Sequence, residues 1–349
     1  MHKHMLAAFL ALLGSNTAAL AASCSLPDVA DKVHMKQLPG TNLVTVPVAI
    51  NGTQKQFLLD IGTRPTMVSQ RAVAELGLPE KRRLTAPFQF TPIPLGAPQN
   101  SQTNVPIYDA KGASGIESMR PRVNVGSFTI GEATGKNLLF VTASEGEVPS
   151  AAPYDGRLTN DFFKQYDVEM DFGTMQMTWL TPTQCTDPDK VAYWTNDGVA
   201  VLPMTLNDGR IEVPVTIEGH AITAVLDTSS ERSVMRRDIA ELTMGLKAGT
   251  PDMMAIDNVK DGMGQPVYRH TFPKLVFAGA GGVTAANVPV LITANGMAAG
   301  DRDPVLGSKA QSSEERIPAL VLGMDVLHQL HLYAVFGQKR LYVTQVFFS

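Results

Sequence analysis

The chain opens on an apolar run and then changes character. Residues 5–13 are continuously apolar, and no later stretch approaches about 18 unbroken apolar positions. From Val46 onward the apolar residues come in short runs broken by Gly, Pro and Asn, the pattern of short strands and tight turns. Val46-Pro47-Val48-Ala49-Ile50 reads as a strand, Asn51-Gly52 as a turn, and Phe57-Leu58-Leu59 as a buried strand that ends on Asp60. Met175-Gln176-Met177-Thr178-Trp179 and Lys339-Arg340-Leu341-Tyr342-Val343 alternate with period two. Short helices are expected over 70–76, 162–165, 236–242 and 326–330.

The same pattern is written twice. Val46-Pro47-Val48-Ala49-Ile50-Asn51-Gly52 recurs as Val213-Pro214-Val215-Thr216-Ile217-Glu218-Gly219. In the same register, Phe57-Leu58-Leu59-Asp60-Ile61-Gly62-Thr63 faces Ala224-Val225-Leu226-Asp227-Thr228-Ser229-Ser230, and Thr66-Met67-Val68 faces Ser233-Val234-Met235. A closing block, Leu158-Thr159-Asn160-Asp161-Phe162-Phe163 running to Asp171-Phe172-Gly173, aligns without a gap on Leu322-Gly323-Met324-Asp325-Val326-Leu327 running to Val335-Phe336-Gly337. A third block pairs Phe128-Thr129-Ile130-Gly131 through Asn137 with Ala278-Gly279-Ala280-Gly281 through Asn287. Internal repetition in one order predicts a duplicated lobe. The expected organisation is a leader over 1–21, a lobe over 40–182, a linker over 183–199 and a second lobe over 200–349.

Composition narrows the class. Apolar residues make up 44% and charged residues 18% of 349 positions, enough apolar material for two cores and the opposite of a disordered chain. The net charge of -4 provides no basic field for nucleic acid. The weakly basic start, the apolar run and the small residues Ala19 and Ala21 read as a secretory signal, which implies a periplasmic or secreted protein without a membrane span. Two cysteines exclude a disulfide-dense scaffold. Three readings of Cys24 stand: a lipid anchor, a disulfide to Cys185 in an oxidising compartment, and a free thiol.

Each lobe places one Asp straight after a buried strand, followed by residues suited to a tight turn. Burial of a carboxylate there is costly unless hydrogen bonds or charge sharing offset it. Two copies related by a pseudo-twofold axis bring Asp60 and Asp227 face to face. Facing carboxylates share a proton, so one can act as general base on a water while the other acts as general acid. That chemistry hydrolyses an amide with no cofactor and no metal. An isolated Asp before a turn is more often a turn former, and the duplication in register is what favours the pair here.

These two loops resemble the Asp-Thr/Ser-Gly loop of aspartic peptidases. With Val321-Leu322-Gly323-Met324-Asp325 and Arg157-Leu158-Thr159-Asn160-Asp161 as closing blocks, the chain is most similar to the retropepsin-like family. The resemblance implies an all-β fold of two tandem acid-protease barrels with a few short helices, in a monomer that is an intramolecular pseudo-dimer. It implies a catalytic pair of Asp60 and Asp227, supported by Gly62, Thr63, Thr228 and Ser230. It implies a Gly-rich hairpin over the cleft, with Gly112 and Gly115 as one candidate and Gly262 and Gly264 as the other. An extended polypeptide is the implied substrate, paired through its backbone. Ile61, Ser229 and Thr159 depart from the pattern: Ile61 lacks the hydroxyl that braces the opposite loop, and the other two replace glycine. These departures motivate an alternative, a catalytically inactive peptide- or partner-binding protein on the same fold.

Other features carry less. His328 and His331 are expected on one side of a short helix, without the further ligands a metal needs. Asp167, Glu169 and Asp171 alternate as a solvated strand face does. No Gly-rich phosphate loop and no Gly-x-Ser-x-Gly elbow is present.

Overall fold

Two hairpins start the two barrels, and both turn for the same local reason. Asn51 and Gly52 have φ of 49° and 83°, and Glu218 and Gly219 have 46° and 87°. Two successive left-handed residues make the tight turn whose twist matches the flanking strands. The computed structural model of the chain describes residues 24, 27–62, 65–81, 89–90, 105–106, 120–163, 166–183, 185, 187–195, 198–207, 209–277, 282–294 and 318–346. The leader, Thr63 and the first candidate hairpin at Gly112 and Gly115 lie outside these residues.

The first barrel sheet has the order Lys36–Gln37, Val44–Ile50, Thr53–Asp60, Gly156–Thr159, Met67–Val68, Ala133–Thr142, Arg122–Ile130 and Glu80–Lys81. A further pairing of Val44–Ile50 with Arg122–Ile130 closes it. The second has the order Thr205–Asn207, Arg210–Ile217, His220–Leu226, Leu320–Leu322, Ser233–Arg236, Val283–Thr293, Pro266–Phe277 and Met254–Lys260, closed by Arg210–Ile217 on Pro266–Phe277. Strand for strand, the two orders are the same. Closure removes the open edges between the six ring strands of each barrel. The apolar faces meet inside, where Phe57, Phe128, Leu59, Val125 and Ile50 fill one barrel and Phe272, Phe277, Leu226, Val213 and Ile217 the other.

A third, six-stranded sheet joins the two barrels. Its order is Val29–His34, Gln176–Leu180, Asp167–Asp171, Leu330–Val335, Arg340–Gln345 and Ala200–Pro203. At its centre Val168 pairs with Ala334, Glu169 with Tyr333 and Met170 with Leu332. The offset that carries Leu158 to Leu322 also carries Glu169 to Tyr333. Glu169 therefore pairs with its own repeat counterpart, and the flanking pairs exchange partners about it. That register places a pseudo-twofold axis through the Glu169–Tyr333 pair.

The segment between the barrels covers the outer face of this sheet. It holds the helix Pro188–Val191, and Val191, Ala192, Trp194 and Cys185 pack with Leu180, Tyr333, Val335 and Tyr342. A disulfide ties Cys185 to Cys24, with Cα atoms 4.7 Å apart and 161 residues of separation. Closing a loop of that length stabilises by on the order of 5 kcal/mol in the chain-entropy model.

Two expectations are corrected by this sheet and its cover. Asp167 and Glu169 do not form a solvated face: they are 1% and 7% exposed, because the inter-barrel segment lies over them. Tyr193 donates its hydroxyl to Glu169 Oε2 at 2.6 Å, and Trp194 stacks on His331 with centroids 4.3 Å apart. His331 is in the strand Leu330–Val335 and not on a helix with His328, so its imidazole faces Glu169 at 2.8 Å. The expected helix over 236–242 forms one residue later, helical at Arg237 and Asp238 and π-helical over Ile239–Thr243, directly after the strand Ser233–Arg236. Helices do form at Gln70–Glu75, capped by Ser69, and at Met324–Leu327, whereas residues 161–163 make only a turn.

Candidate active site

The two Asp residues emerge from equivalent strands. Thr53–Asp60 runs parallel to Gly156–Thr159, with Phe57 opposite Gly156 and Asp60 opposite Thr159. His220–Leu226 runs parallel to Leu320–Leu322 in the same way. Gly156 has to be glycine: a Cβ there would lie 2.4 Å from the Met67 carbonyl oxygen and 2.6 Å from the Phe57 ring. Each strand ends on its carboxylate, and the loop turns back on it. Gly62 N–H donates to Asp60 Oδ1 at 3.1 Å, and Ser229 N–H donates to Asp227 Oδ1 at 2.8 Å. Asp60 is fully buried, and Asp227 is partly exposed.

The loops meet across the seam between the barrels. A Cβ on Gly62 would stand 2.5 Å from Asp227 Cγ, so the first loop passes directly against the second carboxylate. Thr228 Oγ1 accepts from Ile61 N–H at 3.1 Å and donates to the Leu59 carbonyl at 2.8 Å. This is one half of a reciprocal brace. Ile61, fully buried, has no hydroxyl to return it. Asn160 adds a different tie, donating through Nδ2 to the carbonyls of Ile61 at 2.7 Å and Gly209 at 2.8 Å, which lie on opposite sides of the seam.

Behind each loop the closing Asp repeats one network. Asp161 accepts from Thr66 N–H at 2.9 Å and Thr66 Oγ1 at 2.5 Å, and Thr66 Oγ1 in turn accepts from Thr159 N–H at 3.0 Å. Asp325 accepts from Ser233 N–H at 2.9 Å and Ser233 Oγ at 2.6 Å, and Ser233 Oγ accepts from Gly323 N–H at 3.0 Å. Burial pushes the Asp325 carboxyl upward, and the Ser233 hydrogen bonds pull it back. Gly323 is hemmed in, since a Cβ would lie 2.6 Å from the Arg232 carbonyl. Thr159 fits at the equivalent place and spends its hydroxyl on Asp161 Oδ1 at 2.7 Å.

Arg157 is the feature that sequence reasoning missed. It stands beside Leu58 in the parallel ladder, and its side chain is 15% exposed. Nη1 donates to Asp60 Oδ2 at 3.1 Å and reaches Ser229 Oγ at 3.4 Å, while Nε donates to the Glu147 carbonyl at 3.0 Å. Ser229 Oγ in turn donates to Asp227 Oδ1 at 2.8 Å. The two carboxylates are thus linked through Arg157 and Ser229. Burial works against the guanidinium charge, but Asp60, Tyr154 and Asp227 outweigh it and hold its pKa above the ordinary arginine value. A signal was present in the aligned closing blocks, where Arg157 faces the apolar Val321.

The remaining candidates divide. Ser230 does not support Asp227 as expected: its hydroxyl donates to the Arg232 carbonyl at 2.8 Å, and Ser229 takes the role instead. Ser229 is not among the residues with positive φ, so its side chain brings no backbone strain to the turn. Gly262 and Gly264 lie in the tip of the hairpin between Met254–Lys260 and Pro266–Phe277. Asp261 organises that tip, accepting from Met263 and Gln265 N–H at 2.9 and 2.8 Å, and it anchors the tip to Ala294 N–H at 3.1 Å. Gly264, at φ +76°, turns the chain there.

Residues 213–326, the hairpin, Asp loop and closing block of the second barrel, match the model of the aspartyl protease family. The match lies within the second barrel. Among solved structures, conglutin gamma from lupine seeds is similar at 11% identity and a TM-score of 0.45, covering 91% of this chain and 95% of that one. Basic 7S globulin from soybean is similar at 12% identity and a TM-score of 0.49, covering 91% and 96%. A retropepsin-like aspartic protease from Rickettsia conorii is similar at 12% identity and a TM-score of 0.27, covering 42% of this chain and 89% of that one. No curated protein sequence matches the chain. The aspartyl protease match and the fold support a peptidase-like function. Among the described residues no helix is long and apolar enough to cross a membrane.

Proposed function

We propose that the chain hydrolyses peptide bonds at the seam between its barrels, with Asp60 and Asp227 as the catalytic pair. The observation that carries this reading is the duplicated loop geometry. Each carboxylate ends a buried strand, each Oδ1 is held by the N–H two residues on, and Gly62 lies against Asp227. Asp227 is the partly exposed member and suits the general base toward a water. The substrate is an extended polypeptide, and the hairpin tipped by Gly262 and Gly264 is the candidate to pair with its backbone. The reading includes export, which fits the leader over 1–21 and the Cys24–Cys185 disulfide. It also includes a monomer that carries its own pseudo-dimer.

Cleavage of a mixed peptide library by the mature chain across pH 3–8 tests the reading. Asp60→Asn and Asp227→Asn are each expected to abolish cleavage. Cleavage surviving in both variants removes the pair from the mechanism. One observation favours the second reading, a non-catalytic peptide-binding protein: Arg157 already occupies Asp60 Oδ2. Peptide binding without cleavage by the unmodified chain at every pH selects that alternative.

A further inference from the structure

Arg157 stands where the other barrel has Val321, on the strand beside the Asp strand. Its surroundings can be named element by element. Asp60 faces it from the Asp strand, Tyr154 and the Glu147 carbonyl from the preceding loop, and Asp227 and Ser229 from the opposite barrel. The Glu147 carboxylate is itself engaged by Arg120 at 2.5 and 2.7 Å. A buried guanidinium that touched one carboxylate would be an ordinary ion pair. This one is held from behind by a backbone carbonyl and reaches groups on both sides of the seam.

The charge count decides what it does. Two facing carboxylates that share one proton carry one net negative charge, and that sharing is what lets them stand together. Two carboxylates and one guanidinium carry the same net charge with no proton bound. We infer that Arg157 is a positioning residue of the carboxylate site: its guanidinium supplies positive charge that a proton otherwise supplies, and so moves the range in which the pair holds its shared proton toward lower pH. Its place in catalysis rests on the hydrolytic reading above. Its place in the charge balance does not.

The experiment has two arms, on the mature full-length chain. In the first, thermal stability of the native chain, Arg157→Val, Arg157→Lys and Arg157→Val/Asp60→Asn is measured from pH 4 to pH 7. Without the guanidinium, the folded carboxylate pair binds a proton more tightly than the unfolded chain does, so the variant regains stability as pH falls. The gap between Arg157→Val and the native chain is expected to be widest at pH 7 and to narrow by at least half by pH 4. Arg157→Lys should show a smaller gap, and Asp60→Asn should restore Arg157→Val at pH 7. A gap of constant size at all pH values, or an Arg157→Val chain that is no more stable with Asp60→Asn than without it, overturns the inference. In the second arm, the pH optimum of cleavage is expected to rise by about one pH unit or more in Arg157→Val. An unchanged optimum also overturns it. A native chain that cleaves nothing yet shows the pH-dependent gap defeats the hydrolytic reading and leaves the charge assignment standing.

Discussion

Thr228→Val asks whether the seam between the barrels hangs on one hydroxyl. The Thr228 side chain is fully buried, accepts from Ile61 N–H at 3.1 Å and donates to the Leu59 carbonyl at 2.8 Å. Valine keeps the shape and removes both bonds. A buried polar group left without its partner costs about 1–3 kcal/mol. Two such groups served by one hydroxyl put the loss at about 2–4 kcal/mol. For a chain of this size 1 kcal/mol moves the melting temperature by roughly 2–4 °C, so a fall of roughly 4–16 °C is expected. Thr228→Ser is the control, since it keeps the hydroxyl and loses one methyl, worth about 1 kcal/mol. Calorimetry or circular dichroism on the oxidised chain provides the reading. No reciprocal hydroxyl at Ile61 can take up the load. A Thr228→Val chain that melts within about 1 °C of Thr228→Ser refutes the idea that this brace holds the loops.

Two further outcomes are expected of the folded chain. Burial pushes the Asp167 carboxyl up to about 6 against the pull of Thr183 N–H, Tyr333 O–H and Phe336. The folded chain therefore binds a proton between about 3.8 and 6 that the unfolded chain does not, so this group's stabilisation is full below that window and is lost as pH rises through 6. Asp167→Asn should remove that slope, and its melting temperature relative to the native chain should climb between pH 4 and pH 7. A flat difference across that range counts against it. Gly62→Ala places a methyl 2.5 Å from Asp227 Cγ and 2.8 Å from its Cβ, too close for the carboxylate tip alone to move aside. Cleavage should drop by at least tenfold while the circular dichroism spectrum is retained, and native-like turnover would show that Asp227 need not sit where it does.

The parts of the fold that were legible in the sequence are local ones. Asn51-Gly52 announces its turn because two successive left-handed residues favour such side chains, and Glu218-Gly219 is legible through its glycine and the repeat register. Asn137 and Asn287, matched in the third repeat block, both have positive φ, at 55° and 51°. The Asp loops could be read because the strand before each is apolar and the copy repeats the register. The central sheet could not be read, because its middle pairing joins Asp167–Asp171 to a strand more than 150 residues away. Alternation shows that Asp167, Glu169 and Asp171 share one face, but not that Tyr193 and Trp194 return to cover it. His331 was misplaced for the same reason: spacing along the chain put it with His328, while strand pairing put it with Glu169. In the sequence Ser229 stands out only as a replacement of glycine, and the three-dimensional placement of its hydroxyl is what shows it supporting Asp227.

The departures from the duplicated pattern are better understood as a set than as separate losses. A site decaying without use would be expected to lose polar supports to apolar residues, and Ile61 taken alone fits that description. Three other changes run the opposite way. Arg157 brings a charge where the copy has Val321, Asn160 brings an amide where the copy has Met324, and Ser229 brings a hydroxyl where the first loop has Gly62. All three converge on the Asp loops, and each has partners: Arg157 on Asp60 and Glu147, Asn160 on Ile61 and Gly209, Ser229 on Asp227. A buried guanidinium carries a desolvation cost that drift has no reason to sustain, and a hydrophobic replacement at such a place is often neutral or stabilising. The Asn160 amide ties the loop that Ile61 no longer braces, and Arg157 and Ser229 complete a link between carboxylates that a symmetric pair would close with a proton. The asymmetry therefore favours a rebuilt carboxylate site over an abandoned one, and it assigns the two barrels unequal roles: the first contributes the enclosed, counter-charged Asp60, the second the more open Asp227.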